Sequence, residues 1–257
     1  GTAISLPALG IAQYVFLAAL LLVNTFTGFV LAAAWRQVLA HLGSSINSSA
    51  AIRIYGTSQI ARYLPGNIFH LAGRQGLGIA AGIPSVALLK SAGWELGLLG
   101  MIAACFVLPI LPMYHAPLQN FLVHLTLCFL VILIVIGGAV FLYFGAHLFR
   151  ALAAYCLFLV VAGLAFSGVV AAVSESWQFE WWITTCAFIV AWLAGVLVPG
   201  APAGVGVREA VLLSILGDFL SLPIALSAIG LSRLITAGGD VIFWLIAQQI
   251  DEINPPG

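Results

Sequence analysis

Long stretches with almost no charge constrain this chain more than any other feature. Apolar runs of ~18 or more residues recur along it, each long enough to cross ~30 Å of hydrocarbon. Only 6% of the 257 residues are charged, where a water-soluble domain carries ~25%. Such runs predict a polytopic all-α membrane protein, since a transmembrane barrel reads as short alternating segments. The formal net charge is zero, so no basic surface points to nucleic acid. The opening GTAISLPALG lacks the basic start of a signal peptide.

The runs predict spans over about 9–34, 86–111, 121–144, 148–173 and 222–250. No linker divides the chain, which reads as one transmembrane domain over 1–257. Arg36, Arg53 and Arg150 flank spans on one side, whereas the loop SESWQFEWW carries Glu175 and Glu180 with no basic residue. Positive-inside reasoning sets the arginines in the cytoplasm and that loop outside. The first residue then falls outside, which implies an N-out chain or a preceding helix. Trp177, Trp181 and Trp182 read as an interfacial belt.

Two segments break the pattern. YLPGNIFHLAGRQGLG (63–78) and VPGAPAGVGVRE (198–209) are rich in glycine and proline and carry arginine. Proline followed by glycine stops a helix, because it removes a donor and frees the backbone to turn. At membrane depth such a break survives only inside protein or beside a wet cavity.

The breaks belong to three collinear pairs of matches: FTGFV (26–30) with FSGVV (166–170), LPG (64–66) with VPG (198–200), and SAGWE (91–95) with TAGGD (236–240). In each copy an arginine, Arg74 or Arg208, follows the proline by nine residues. This predicts a duplication, about 9–145 and 148–250, each copy holding a re-entrant hairpin. If the hairpins return to their own sides they enter from opposite faces, as inverted repeats do.

The half-helices after the breaks would point free amides at a central cavity. Arg74 and Arg208 then suit bidentate contact with phosphate oxygens, the alternative being that they snorkel to an interface. Tyr63, Asn67 and His70 are candidate headgroup partners or hairpin caps. Gly66, Gly204 and Gly206 let backbone approach a ligand closely. Glu95, five residues beyond Lys90, and Asp240, seven beyond Arg233, read as salt-bridge partners, counter-ions to Arg74 and Arg208, or proton carriers. Glu209 reads as an orienting partner beside Arg208.

No catalytic motif or nucleotide loop occurs, and no metal or cofactor is called for. Cys105, Cys128, Cys156 and Cys186 lie apart in apolar runs and read as packed thiols.

ARYLPGNIFHLAGRQGLGIAAGIP followed by an acid-bearing span, PGAPAGVGVREAVLL, and the WRQVL ending the first span resemble the transmembrane domain of the lysylphosphatidylglycerol synthase/flippase family. The resemblance covers about 35–216. It implies a multi-span bacterial inner-membrane protein handling a lipid with an anionic headgroup, with an envelope-lipid biosynthetic enzyme as partner. It carries Pro65, Gly66, Arg74, Gly204, Val205, Gly206, Arg208 and Glu209 by position. It does not carry aminoacylation, because no soluble synthase part accompanies these motifs, and the acid in WELG lacks the family's basic neighbour. The expected function is a lipid flippase. The alternatives are a membrane enzyme on a lipid phosphate and a glycosyltransferase accessory subunit.

Overall fold

A computed structural model describes residues 10–64, 68–114, 122–174, 181–198, 202–217 and 219–250. Among the described residues there are no strands. The nine principal helices are α1 (Ile11–His41), α2 (Ser48–Gln59), α3 (Phe69–Ala80), α4 (Ser85–Cys105), α5 (Leu122–Phe144), α6 (Ala146–Val173), α7 (Trp181–Leu197), α8 (Val207–Leu216) and α9 (Leu222–Gln248). Five of them, α1, α4, α5, α6 and α9, are long and apolar enough to cross a bilayer. The chain is an all-α, multi-pass integral membrane protein.

Most boundaries follow the expected spans; α1 and α4 are the exceptions. α4 stops at Cys105 and not at 111. α1 runs to His41 and not to 34, so WRQVLA is helix. Trp35 explains the extension: it is fully buried and donates from Nε1 to Ser91 Oγ on α4 at 3.1 Å.

Both interrupted segments form helical hairpins. In the first, α2 tightens into a 3₁₀ turn at Ile60–Tyr63, and α3 starts at Phe69 and packs back on α2. Asn47 caps α2 by accepting from Ala50 N at 2.7 Å. The loop after α1 and the turn before α4 line one crevice, through Gly43–Asn47 and Ala81–Pro84, so this hairpin begins and ends at the same end of the molecule. In the second, α7 stops at Leu197 and α8 packs against it after a 3₁₀ turn at Pro202–Gly204. The expected tips at Pro65, Gly66, Asn67 and Pro199 lie outside the described residues, as do 175–180 and Asp218.

With one crossing per long helix, α1 and α6 finish at opposite ends. The hairpins that follow them therefore enter from opposite ends. The turns flanking their breaks meet: Ile60–Tyr63 touches Pro202–Gly204. Both also reach the middle of α9. Arg62 and Tyr63 bind Asp240, residue 19 of its 27, and Ala203 binds Arg233, residue 12. At 1.5 Å per residue these points lie roughly 10 Å apart, well inside a helix about 40 Å long.

The arginines used for orientation cluster at one end. Arg36 Nη1 bonds Ser48 Oγ (2.9 Å), and Arg53 Nη1 bonds the carbonyl of Ile250, past the end of α9 (2.7 Å). Near Arg150, His147 Nδ1 meets Gln37 Oε1 of α1 at 2.9 Å.

Close helix contacts rest on small residues, as is usual where lipid supplies no hydrophobic drive. A Cβ on Gly56 of α2 would lie 2.5 Å from Ala247 Cβ of α9. Gly56→Ala should therefore destabilise the fold by ~1–3 kcal/mol through overpacking, read as a lower unfolding temperature in detergent. In a background lacking the four native cysteines, Gly43→Cys and Gly82→Cys should label from one membrane face and Ser174→Cys and Ser221→Cys from the other. Labelling of Gly43→Cys and Gly82→Cys from different faces would mean that the first hairpin crosses.

Candidate functional site

The tips enclose a small central cavity of about 40 Å³, with Arg62, Tyr63, Gly195, Gly204, Arg208 and Arg233 in its wall. Three guanidinium groups therefore face one space from three elements. Two of them are neutralised. Asp240 Oδ2 accepts from Arg62 Nη1 (3.3 Å) and from Tyr63 Oη (2.7 Å). Glu209 Oε1 accepts from Arg233 Nε at 2.6 Å, and Arg233 Nη1 donates to Ala203 O at 2.9 Å. That bond holds Ala203 at φ 48°, a left-handed conformation unusual for a residue with a Cβ.

Arg208 is the exception. It has no ion pair among the described residues, and its guanidinium stands 4.9 Å from the Phe188 ring centroid. Five charges, three positive and two negative, thus leave one unit positive at the cavity. A guanidinium over an aromatic face in a partly desolvated place is stabilised by ~0.5–2 kcal/mol. That does not replace a counter-ion, so the cavity favours an anion.

Two glycines make room for Arg208. A Cβ on Gly195 would lie 2.6 Å from Arg208 Cγ, and one on Gly204 would lie 2.9 Å from its Cδ. Gly204 also sits at φ 71°. Gly206, at φ 87°, precedes α8 and does not line the cavity. Just before α8, Glu209 Oε2 accepts from Gly206 N at 2.6 Å.

Arg74 lies elsewhere. It is 3% exposed on α3, with its guanidinium 3.7 Å from the Tyr55 ring centroid and 5.6 Å from that of Trp35. Its Nη1 donates to Glu95 Oε2, while Glu95 Oε1 accepts from Tyr55 Oη at 2.9 Å. Arg74 lines neither the central cavity nor the larger one beside it. The two arginines placed together by sequence are apart, and their environments differ. Glu95 serves Arg74 and not Lys90, which is exposed. Asp240 and Arg233 do not pair along α9; each pairs with a hairpin.

The larger cavity, about 250 Å³, adjoins the first and shares Arg62, Trp192 and Val196 with it. His70 lines it with Tyr55, Gln59 and Glu95. Gly66 and Asn67 lie outside the described residues. Arg62 and Gln59 were not singled out from sequence. Arg62 stands two residues before the LPG break and is the basic residue closest to it. No cluster of three or more potential metal ligands occurs among the described residues.

Compared with known proteins, the chain matches no family model and no curated sequence.

The Arg74–Glu95 pair is expected to be structural. Glu95→Ala should cost ~3–5 kcal/mol by leaving a buried guanidinium unpaired. The Arg74→Ala/Glu95→Ala double variant should unfold at a higher temperature than either single one, which a double-mutant cycle in detergent would measure.

Proposed function

We propose that this chain is a flippase-type lipid transporter. It would move an anionic phospholipid or a polyprenyl-phosphate-linked glycolipid across the bacterial inner membrane. The observation that carries the reading is Arg208, without an ion pair among the described residues, at a cavity formed where two broken hairpins meet. Broken helices meeting at mid-depth are a recurrent way for transporters to build a site open in turn to each side. A phosphate there would receive a planar, bidentate donor and cancel the excess charge. Arg62, already held by Asp240, stands close enough to share it. The resemblance of the LPGN and GVGVRE motifs to lysylphosphatidylglycerol flippase domains supports the same reading.

Two carboxylates positioned for acid–base work on a lipid phosphate would favour an enzyme. Glu209 and Asp240 are instead engaged by Arg233, by Gly206 N, and by Arg62 and Tyr63. The purified protein alone in liposomes should therefore redistribute phosphatidylglycerol between leaflets and leave its mass unchanged. Arg208→Ala should abolish the movement, and Arg208→Lys should reduce it about tenfold or more for want of the bidentate fork. Gly195→Ala should lower it too, by displacing the Arg208 stem. Leaflet accessibility and mass spectrometry on one sample would check all three. Wild-type rates in Arg208→Ala would overturn the proposal, and a new lipid product without redistribution would favour the enzyme.

A further inference from the structure

Three arginines face the central cavity, and their bonds decide which of them can turn to a phosphate held by Arg208. Arg233 is fully committed. Its Nε and Nη2 both stand 2.6 Å from Glu209 Oε1, and its Nη1 donates to Ala203 O at 2.9 Å. Moving it would release the left-handed turn at Ala203.

Arg62 is held through one nitrogen. Its Nη1 donates to Asp240 Oδ2 at 3.3 Å, longer than the ~2.7–2.9 Å of a strong charge-assisted bond. A guanidinium has five N–H donors, so others are left over. The side chain is 21% exposed and stands in the wall of both cavities. Arg62 is therefore the second guanidinium that an anion can recruit.

Asp240 does not depend on Arg62 alone. The same oxygen accepts from Tyr63 Oη at 2.7 Å. When Arg62 turns away, this bond remains, and the carboxylate keeps a donor where an uncompensated buried charge is costly. The Arg74–Glu95 pair, with side chains 4% and 6% exposed, is closed to such an exchange.

Charge sets the balance. The cavity carries one positive unit in excess, so a singly charged phosphate brings it to neutrality. Phosphate and Asp240 then act on the same guanidinium, and each weakens the hold of the other on it. That matters to a transporter, because a site that binds too tightly does not let its cargo leave.

We propose that Asp240 competes with the bound phosphate for Arg62 and so speeds release of the lipid. The inference rests on the reading of Arg208 as the phosphate ligand of a lipid transporter. Arg208 supplies the attraction, and Asp240 limits it.

The test pairs affinity with rate in the purified full chain. Phosphatidylglycerol binding is measured in detergent by native mass spectrometry, and its movement between leaflets in liposomes. The amide oxygen left by Asp240→Asn can still accept from Tyr63 and Arg62, but without the charge that retains Arg62. Asp240→Asn should therefore bind phosphatidylglycerol about tenfold tighter, as one charge-assisted bond implies, and move it several-fold more slowly. A merely structural role for Asp240 would lower both affinity and rate. In an Arg62→Ala background the gain from Asp240→Asn should fall to about twofold or less, because the contested group is gone. Unchanged or weaker binding in Asp240→Asn overturns the inference, as does tighter binding with an undiminished rate. A tenfold gain that persists in the Arg62→Ala background also overturns it, since Asp240 would then act through its charge alone. If Asp240→Asn does not fold, infrared difference spectra of the wild-type chain with ¹³C-labelled aspartate replace it. Phosphatidylglycerol should shift a carboxylate stretch, and no shift overturns the inference. Arg208→Ala tests the phosphate assignment separately. If it binds phosphatidylglycerol like wild type, that assignment fails, whereas the Asp240 and Arg62 series judges the competition.

Discussion

A helix that stops halfway across a bilayer leaves backbone groups where no water can reach them, and lipid cannot bind them. This protein has two such stops, and most of its unusual contacts serve them. The hairpins are set tip to tip, and α9 passes beside both. Asp240 takes Arg62 and Tyr63 from the first hairpin, while Arg233 takes the Ala203 carbonyl and Glu209 from the second. A single spanning helix thus holds both broken elements at mid-depth. Midway along α2, Arg53 donates to the carbonyl of Ile250.

The same economy produces an imbalance. Arg74 and Arg208 hold matching places after their breaks, and Glu95 and Asp240 match in the spans that follow. In the first half Arg74 and Glu95 pair with each other inside a cage of Trp35 and Tyr55. In the second half the corresponding pair does not form. Asp240 is bound from the opposite hairpin, and Glu209 is drawn to Arg233 and to the start of α8. Arg208 remains with an aromatic face and no carboxylate among the described residues. One half has a closed ion pair, which serves the fold. The other has an open cation, the element that a ligand would complete.

How far the fold was legible follows from what sets each element. The long spans depend on the local run of apolar side chains, so periodicity and length located them to within a few residues. The breaks depend on proline and glycine, whose effect on the backbone is local too. Trp35 was harder, because a span ending in WRQ looks like an interface. Its burial against Ser91 on α4 carries the helix onward. Nothing distinguishes Gln59 along the chain, and Arg62 is marked only as the basic residue nearest the LPG break. They matter through position at the turn, beside residues 130 or more positions away in sequence, such as Trp192.

Apolar content, the Pro-Gly breaks and the placement of arginine beyond them were enough to establish a helical membrane protein and to mark where its helices stop. These are properties of single residues and their immediate neighbours acting against lipid. Which carboxylate meets which arginine was decided only by the tertiary structure. An ion pair in a low-dielectric interior forms between whichever charges the packed helices bring within a few ångströms. Sequence alone offered Glu95 either Lys90 or Arg74, and Asp240 either Arg233 or Arg208. The hairpins instead carried Arg74 to Glu95 and Arg62 to Asp240, and so left Arg208 without an ion pair among the described residues.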